Sequence, residues 1–244
     1  VINQRYTPVP GVVKDLPLNM TRPDFEAETS YVPLFSIILI ATVILMILAK
    51  FRALRLWKLW FFVSVLLILT VAFNAFFNEY IAIALALLLT VLKVFKSNVY
   101  THNISEFFIY GGLTAVFAPI FNIKSAIILL ILISIYDAFA VWKSKHMIAL
   151  AKFQSEAKVF AGIYIPYGKN AALLGGGDIG IPLLFATAAL PSYGLFRTLL
   201  IPVGATIALL LLLIKGKKNT FYPAMPFITA GCLVGYIMLI SLFG

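Results

Sequence analysis

Two aspartates, Asp137 and Asp178, are the only acidic residues placed well inside apolar runs of this 244-residue chain. The other seven acids, Asp15, Asp24, Glu26, Glu28, Glu79, Glu106 and Glu156, fall in the polar N-terminal segment, in loops or near the ends of runs. A charged group at the centre of a bilayer costs about 3 kcal/mol or more, so an intramembrane acid marks a functional site by default. Two carboxyl groups brought together can do acid–base chemistry. Like charges at close range do not both ionise cheaply, so one carboxyl keeps its proton as an acid. Its ionised partner can then take a proton from water. The same pair could equally carry protons or cations through a transporter.

Three irregular stretches accompany the aspartates. Asp178 ends the run Gly175-Gly176-Gly177-Asp178. Glycine costs about 1 kcal/mol per helical residue against alanine, so this run weakens a helix start and allows close backbone approach. Glycines in a membrane helix are most often a packing face. The Asp directly after them favours a place where backbone meets a partner or substrate. Asp137 follows Tyr136, whose side chain points about 100° away around a helix, so Tyr136 is read as packing near the site. Pro223-Ala224-Met225-Pro226 opens the last apolar run. Prolines are tolerated in a first helical turn, but here they lie at the level of the aspartates. In the segment between the two aspartates, Val159-Phe160-Ala161-Gly162-Ile163-Tyr164-Ile165 is β-prone and stops at Pro166. It is either a loop on the membrane surface or a candidate substrate-pairing strand that receives an extended peptide by β-augmentation.

Other chemistries lack their residues. Zinc hydrolysis needs clustered ligands, whereas His102 and His146 stand apart in loops, so neither a metal nor a cofactor is expected. Serine catalysis would need an activated Ser with a His inside the spans, and the sequence pairs none. Cys232 is the single cysteine, so there is no disulfide framework.

The elements that must position these groups are membrane helices. The chain is 62% hydrophobic and 11% charged with mean hydropathy +1.03, against about a quarter charged in soluble domains. The apolar runs are continuous, which excludes a β-barrel. Eight segments are expected to span: 33–49, 59–77, 81–95, 106–121, 125–142, 171–191, 198–214 and 223–243. The expected organisation is an extracytoplasmic segment over 1–32, a helical part over 33–142 ending with Asp137, a loop over 143–170, and a helical part over 171–244 with Asp178. The formal charge of +10 is carried by short loops and not by one basic face, so no nucleic-acid partner is expected. Alternating sides divides the 19 Lys and Arg residues into 14 and five. The basic side, which includes the 143–170 loop, is therefore cytoplasmic, and both chain ends lie outside. Asp137 lies six residues before Lys143 and Asp178 nine after Lys169. That places them roughly 9 and 13 Å from the cytoplasmic flank, on consecutive antiparallel helices.

Tyr136-Asp137, Gly175-Gly176-Gly177-Asp178 and Pro223-Ala224-Met225-Pro226, in this order, resemble the YD, GxGD and PAL motifs of presenilin and signal peptide peptidase. Tyr136 to Met147, ending Lys145-His146-Met147, is especially similar to archaeal members, which implies a cell membrane. The resemblance implies an all-α polytopic membrane protein, a presenilin-like helical bundle of nine spans with the first missing before Val1. It implies an intramembrane aspartyl endopeptidase acting on transmembrane peptide substrates in the lipid bilayer. Asp137 and Asp178 would be the catalytic dyad, with Pro223, Ala224 and Met225 beside it. Met225 stands where the family usually has Leu, a change of similar volume. The basic loop between the aspartate helices resembles the presenilin orientation, since in signal peptide peptidases that loop faces the opposite side. A prepilin-type aspartyl peptidase shares GxGD, but the proline motif speaks against it. The sequence is silent on oligomeric state, and a proton- or cation-coupled transporter is the alternative on the aspartate pair alone.

Overall fold

The structure, a computed structural model, describes all residues except 1, 8–12, 97, 145–149, 151–152, 155, 158, 168–169, 216–221 and 244. The similarity to archaeal members at Lys145, His146 and Met147 therefore lies outside the described residues. In chain order come α1 (Ile2–Tyr6), α2 (Tyr31–Lys50), α3 (Leu54–Asn74), α4 (Glu79–Phe95), α5 (Val99–Phe117) and α6 (Ile123–Phe139). A two-stranded hairpin follows, β1 (Gly162–Tyr167) and β2 (Asn170–Gly175). The chain ends with α7 (Gly176–Tyr193), α8 (Leu195–Thr198), α9 (Leu200–Lys215) and α10 (Met225–Phe243).

A helix falls on each of the eight expected spans. Among the described residues five stretches are both long and apolar enough to cross a bilayer: Tyr31–Lys50, Leu54–Asn74, Ile123–Lys143, Leu195–Lys215 and Met225–Phe243. Along α2, Ile37, Ile40, Val43, Ile44, Met46 and Ile47 are all exposed. So large an apolar face in one helix has to be covered, and lipid covers it without leaving backbone groups unpaired.

Local sequence sets several helix starts. The Oδ1 atoms of Asn78, Asn98 and Asn122 accept the backbone N–H groups of Ile81, Thr101 and Ser125 at 3.0, 2.8 and 2.8 Å. Each Asn thus satisfies one of the N–H groups that a first turn leaves unpaired. The cap at Asn98 starts α5 seven residues before the expected span at Glu106, and so makes His102 helical. The largest difference from expectation lies at 171–175. This apolar stretch is read from sequence as the head of a span, yet it pairs as β2, and the helix begins only at Gly176. The glycine run is the reason. It has no side chains to pack and weak helical preference, so the strand-to-helix change happens there.

The chain divides into two compact units. The first comprises Val1–Asp24, Ile44–Pro119 and Ala151–Gly180. Its core joins Phe61, Val65, Leu69 and Phe73 of α3 to Ala82, Ala86 and Val94 of α4, with Ala157 and Val159. Tyr6 packs in a second cluster with Leu16, Val71 and Ala115, its hydroxyl donating to the Val71 carbonyl at 2.8 Å. The second unit comprises Phe25–Val43, Ile120–Leu150 and Ile181–Gly244. In it α9 and α10 cross closely through Gly204, Gly231 and Gly235, where a methyl group on any of the three would strike facing backbone. Such small-residue crossings are how membrane helices gain van der Waals contact without a hydrophobic driving force.

Candidate active site

The Asp178 half-site is built by the hairpin. The strands are antiparallel, with Gly162 opposite Gly175 and Ile163 opposite Leu174. The ladder continues past β2, because the Gly176 N–H donates to the Ala161 carbonyl at 3.0 Å. Chain direction then changes into α7, and Asp178 occupies its first turn. A carboxylate there faces the positive end of the helix dipole. Gly162 has φ +145°, and a side chain on it would run into the Leu174 carbonyl and the Phe160 ring, so glycine is required. A methyl at Gly175 would lie 3.1 Å from Asp178 Oδ2, and one at Gly176 would lie 3.3 Å from the Tyr110 hydroxyl. Gly177 faces open space. The three glycines thus form a strand-to-helix junction beside the carboxyl.

The Asp137 half-site lies in the second unit. Asp137 sits two residues before the end of α6, which widens into a π-helical turn over Ala140–Ser144. Its Oδ2 accepts the Met225 backbone N–H at 3.1 Å. Met225 is the first residue of α10, and Pro226 next to it has no N–H to satisfy. Asp137 therefore caps α10 from another helix, in the role that a local Ser or Asn usually fills. Pro223 and Met225 are buried and Ala224 is half-buried beside this contact. Tyr136 meets the Phe35 ring edge to face at 6.5 Å.

A third cluster escapes the sequence reading. Glu106 and Lys93 pair at 2.6 Å, and both side chains are only 1% exposed. His102 Nδ1 lies 3.3 Å from Lys93 Nζ, and His102 Nε2 lies 2.8 Å from the Gly162 carbonyl oxygen. His102 is thus neither isolated nor in a loop. Glu106 is more deeply buried than Asp137 or Asp178, which are both half-buried. Counting charges at span ends misses this, since Lys93 and Glu106 are separated by a helix break and meet only when α4 and α5 pack. The i,i+4 spacing of His102 and Glu106 is the one sequence signal that α5 presents them on one face.

The β-prone segment forms a strand from Gly162 onward, while Val159 and Phe160 precede it. Backbone groups alternate sides along a strand, and Asn103 identifies which residues face away from β2. Its Nδ2 donates to the Tyr164 carbonyl at 2.7 Å and its Oδ1 accepts the Tyr164 N–H at 3.0 Å. Gly162, Tyr164 and Pro166 therefore point outward, and Pro166 costs no ladder bond. Ile163 and Ile165 point to β2, so both edges of β1 are occupied. The opposite edge of β2, at Ala171, Leu173 and Gly175, pairs with no third strand among the described residues. The Tyr164 phenol sits against the His102 ring at 4.5 Å, and burial, then the Glu106 carboxylate, push its pKa above the usual value. Among the described residues no His, Cys, Asp and Glu group has the makings of a metal site.

The chain is similar in sequence and in fold to known proteins. The family model described as "Signal-peptide peptidase, presenilin aspartyl protease" matches residues 19–170, more than half of the chain and inclusive of Asp137. No curated protein matches. Two solved structures of a presenilin family intramembrane aspartate protease, in C222 and P2 crystal forms, are similar in fold. The first gives a TM-score of 0.66 at 19% identity, covering 92% of this chain and 89% of the other. The second gives 0.65 at 20% identity, covering 90% and 88%. The chain is a multi-pass integral membrane protein, and it belongs to the signal-peptide peptidase and presenilin family of aspartyl proteases.

Proposed function

We propose that this chain hydrolyses peptide bonds within the transmembrane segments of other proteins, with Asp137 and Asp178 as its two catalytic carboxyls. Family membership supports the activity, and nothing favours the transporter alternative. The observation that carries the residue assignment is the bond from the Met225 N–H to Asp137 Oδ2. It joins two of the three motifs at one carboxyl, 88 residues apart in sequence.

In the proposed mechanism the ionised aspartate takes a proton from water, and the protonated one donates to the scissile carbonyl. A helical substrate is a poor target because its carbonyls are already bonded along the helix. An extended segment pairing along the outer edge of β2 presents its carbonyls just ahead of Asp178. Gly175, Gly176 and Gly177 leave that backbone approachable, and Pro223, Ala224, Met225 and Pro226 hold Asp137. The orientation proposed from the basic residues puts the 143–170 loop in the cytoplasm and both ends of this chain outside.

The test is incubation of purified protein with a single-span peptide, with and without an aspartyl transition-state analogue. Cleavage inside the span, abolished by the analogue and by Asp137→Asn or Asp178→Asn, is expected. Proton flux in liposomes without peptide cleavage would refute the proposal.

A further inference from the structure

The buried cluster on α4 and α5 has no part in the proposed proton transfers, yet it reaches the hairpin through His102. The Lys93 ammonium has no lone pair, so His102 Nδ1 has to accept and the ring proton has to sit on Nε2. Nε2–H then aims at the Gly162 carbonyl, 2.8 Å away. Glu106, 2.6 Å from Lys93, holds that ammonium in place. One residue further along α5, Asn103 takes both backbone groups of Tyr164. Two turns along from His102, Tyr110 lies with its hydroxyl beside Gly176, at the start of α7. The same helix face therefore touches the hairpin at its first strand and at its exit toward Asp178.

The Lys93–Glu106 pair is almost wholly removed from solvent, each side chain 1% exposed. Burying an ion pair gains little over apolar residues of the same volume, and one attested use of such a pair is to fix one arrangement among several. The arrangement it fixes is the edge of a strand. Without His102 and Asn103, the Gly162 carbonyl and both Tyr164 backbone groups would be open to an extended peptide, and among the described residues no third strand covers the outer edge of β2 either.

We propose that His102 and Asn103, held by the Lys93–Glu106 ion pair, are positioning residues that close the outer edge of β1. They thereby confine an extended substrate to the edge of β2 that leads into Asp178. This rests on the reading of the chain as a protease of extended membrane peptides. The residues touch neither the reacting bond nor the catalytic carboxyls. Their effect is on which peptide bond reaches Asp178.

The experiment compares wild type with His102→Leu, Asn103→Leu, His102→Gln and the paired change Lys93→Met with Glu106→Gln, all as full chain in detergent. A single-span peptide is supplied and the products are mapped by mass spectrometry, with KM and kcat measured separately. Wild type should cut at one main position. His102→Leu and Asn103→Leu should spread cleavage over neighbouring bonds and lower kcat/KM at the main position by about tenfold, the worth of a lost hydrogen bond. His102→Gln, whose amide can still donate to Gly162, should restore the main position. The paired change removes the ammonium that sets the ring tautomer and should spread cleavage as His102→Leu does. A variant that is only less stable would yield less product at an unchanged position, and that outcome would overturn the proposal. Amide exchange gives a readout independent of cleavage. The Tyr164 N–H should be protected in wild type and exchange faster in Asn103→Leu. If wild type cleaves nothing, the protease reading fails, and unchanged Tyr164 exchange in Asn103→Leu would by itself refute the positioning role.

Discussion

Asp137 is assigned two duties, and they can be separated. Its carboxyl is proposed to take part in proton transfer, and its Oδ2 caps α10 by accepting the Met225 N–H at 3.1 Å. Asp137→Asn keeps an oxygen that can accept that N–H but cannot act as acid or base. Asp137→Ala removes both functions. Loss of a capping side chain costs about 1 kcal/mol, in a range of roughly 0.5–2. For a chain of 244 residues that corresponds to a fall in Tm of about 2–4 °C per kcal/mol. Asp137→Asn should therefore unfold close to wild type, while Asp137→Ala unfolds a few degrees lower. Both should lose peptide cleavage, by about a hundredfold to ten-thousandfold at least, the usual worth of a positioned acid or base. Thermal unfolding in detergent and cleavage of a single-span peptide measure the two duties on the same samples. Equal Tm values for the two variants would show that the carboxyl does not hold α10. Cleavage by Asp137→Asn at the wild-type rate would sink the catalytic assignment.

Other perturbations separate strain, charge and packing. Gly162→Ala forces a side chain onto φ +145° and against the Leu174 carbonyl, so it should destabilise the hairpin by about 1–3 kcal/mol. Gly177→Ala meets nothing within 4 Å and should be neutral or stabilising, and hydrogen exchange over 162–175 distinguishes the pair. Lys93→Met takes the cation from Glu106 in a site 1% exposed, which should cost about 3–5 kcal/mol. Adding Glu106→Leu should recover most of that loss in thermal unfolding. Gly231→Ala places a methyl against the Gly204 carbonyl and the Ala208 side chain and should lower stability by about 1–3 kcal/mol. A Tm unchanged from wild type would mean that α9 and α10 do not need the close crossing.

Much of this molecule can be read in the sequence because the bilayer leaves few choices. Long apolar runs become helices, and each of the eight segments carries one. The irregular motifs also announce themselves, since three glycines before an Asp and two prolines three apart are poor helix and demand another use. Asn78, Asn98 and Asn122 are local signals as well, each reaching an N–H three residues on. Local rules misplace 171–174, because four apolar residues suit a buried helix or a strand equally well. Pairing with β1 decides between them.

The sequence by itself determined the membrane class, the approximate helices and the family motifs, since these depend on composition and short-range spacing. Only the tertiary structure decided that Asp137 serves the N-terminus of α10, that β1 has both edges occupied, and that Glu106 and not an aspartate is the most deeply buried acid. Each of these depends on which groups meet across tens of residues. A buried charge or strand edge is defined by its partner, and its partner is chosen by packing and not by the neighbouring residues in the chain.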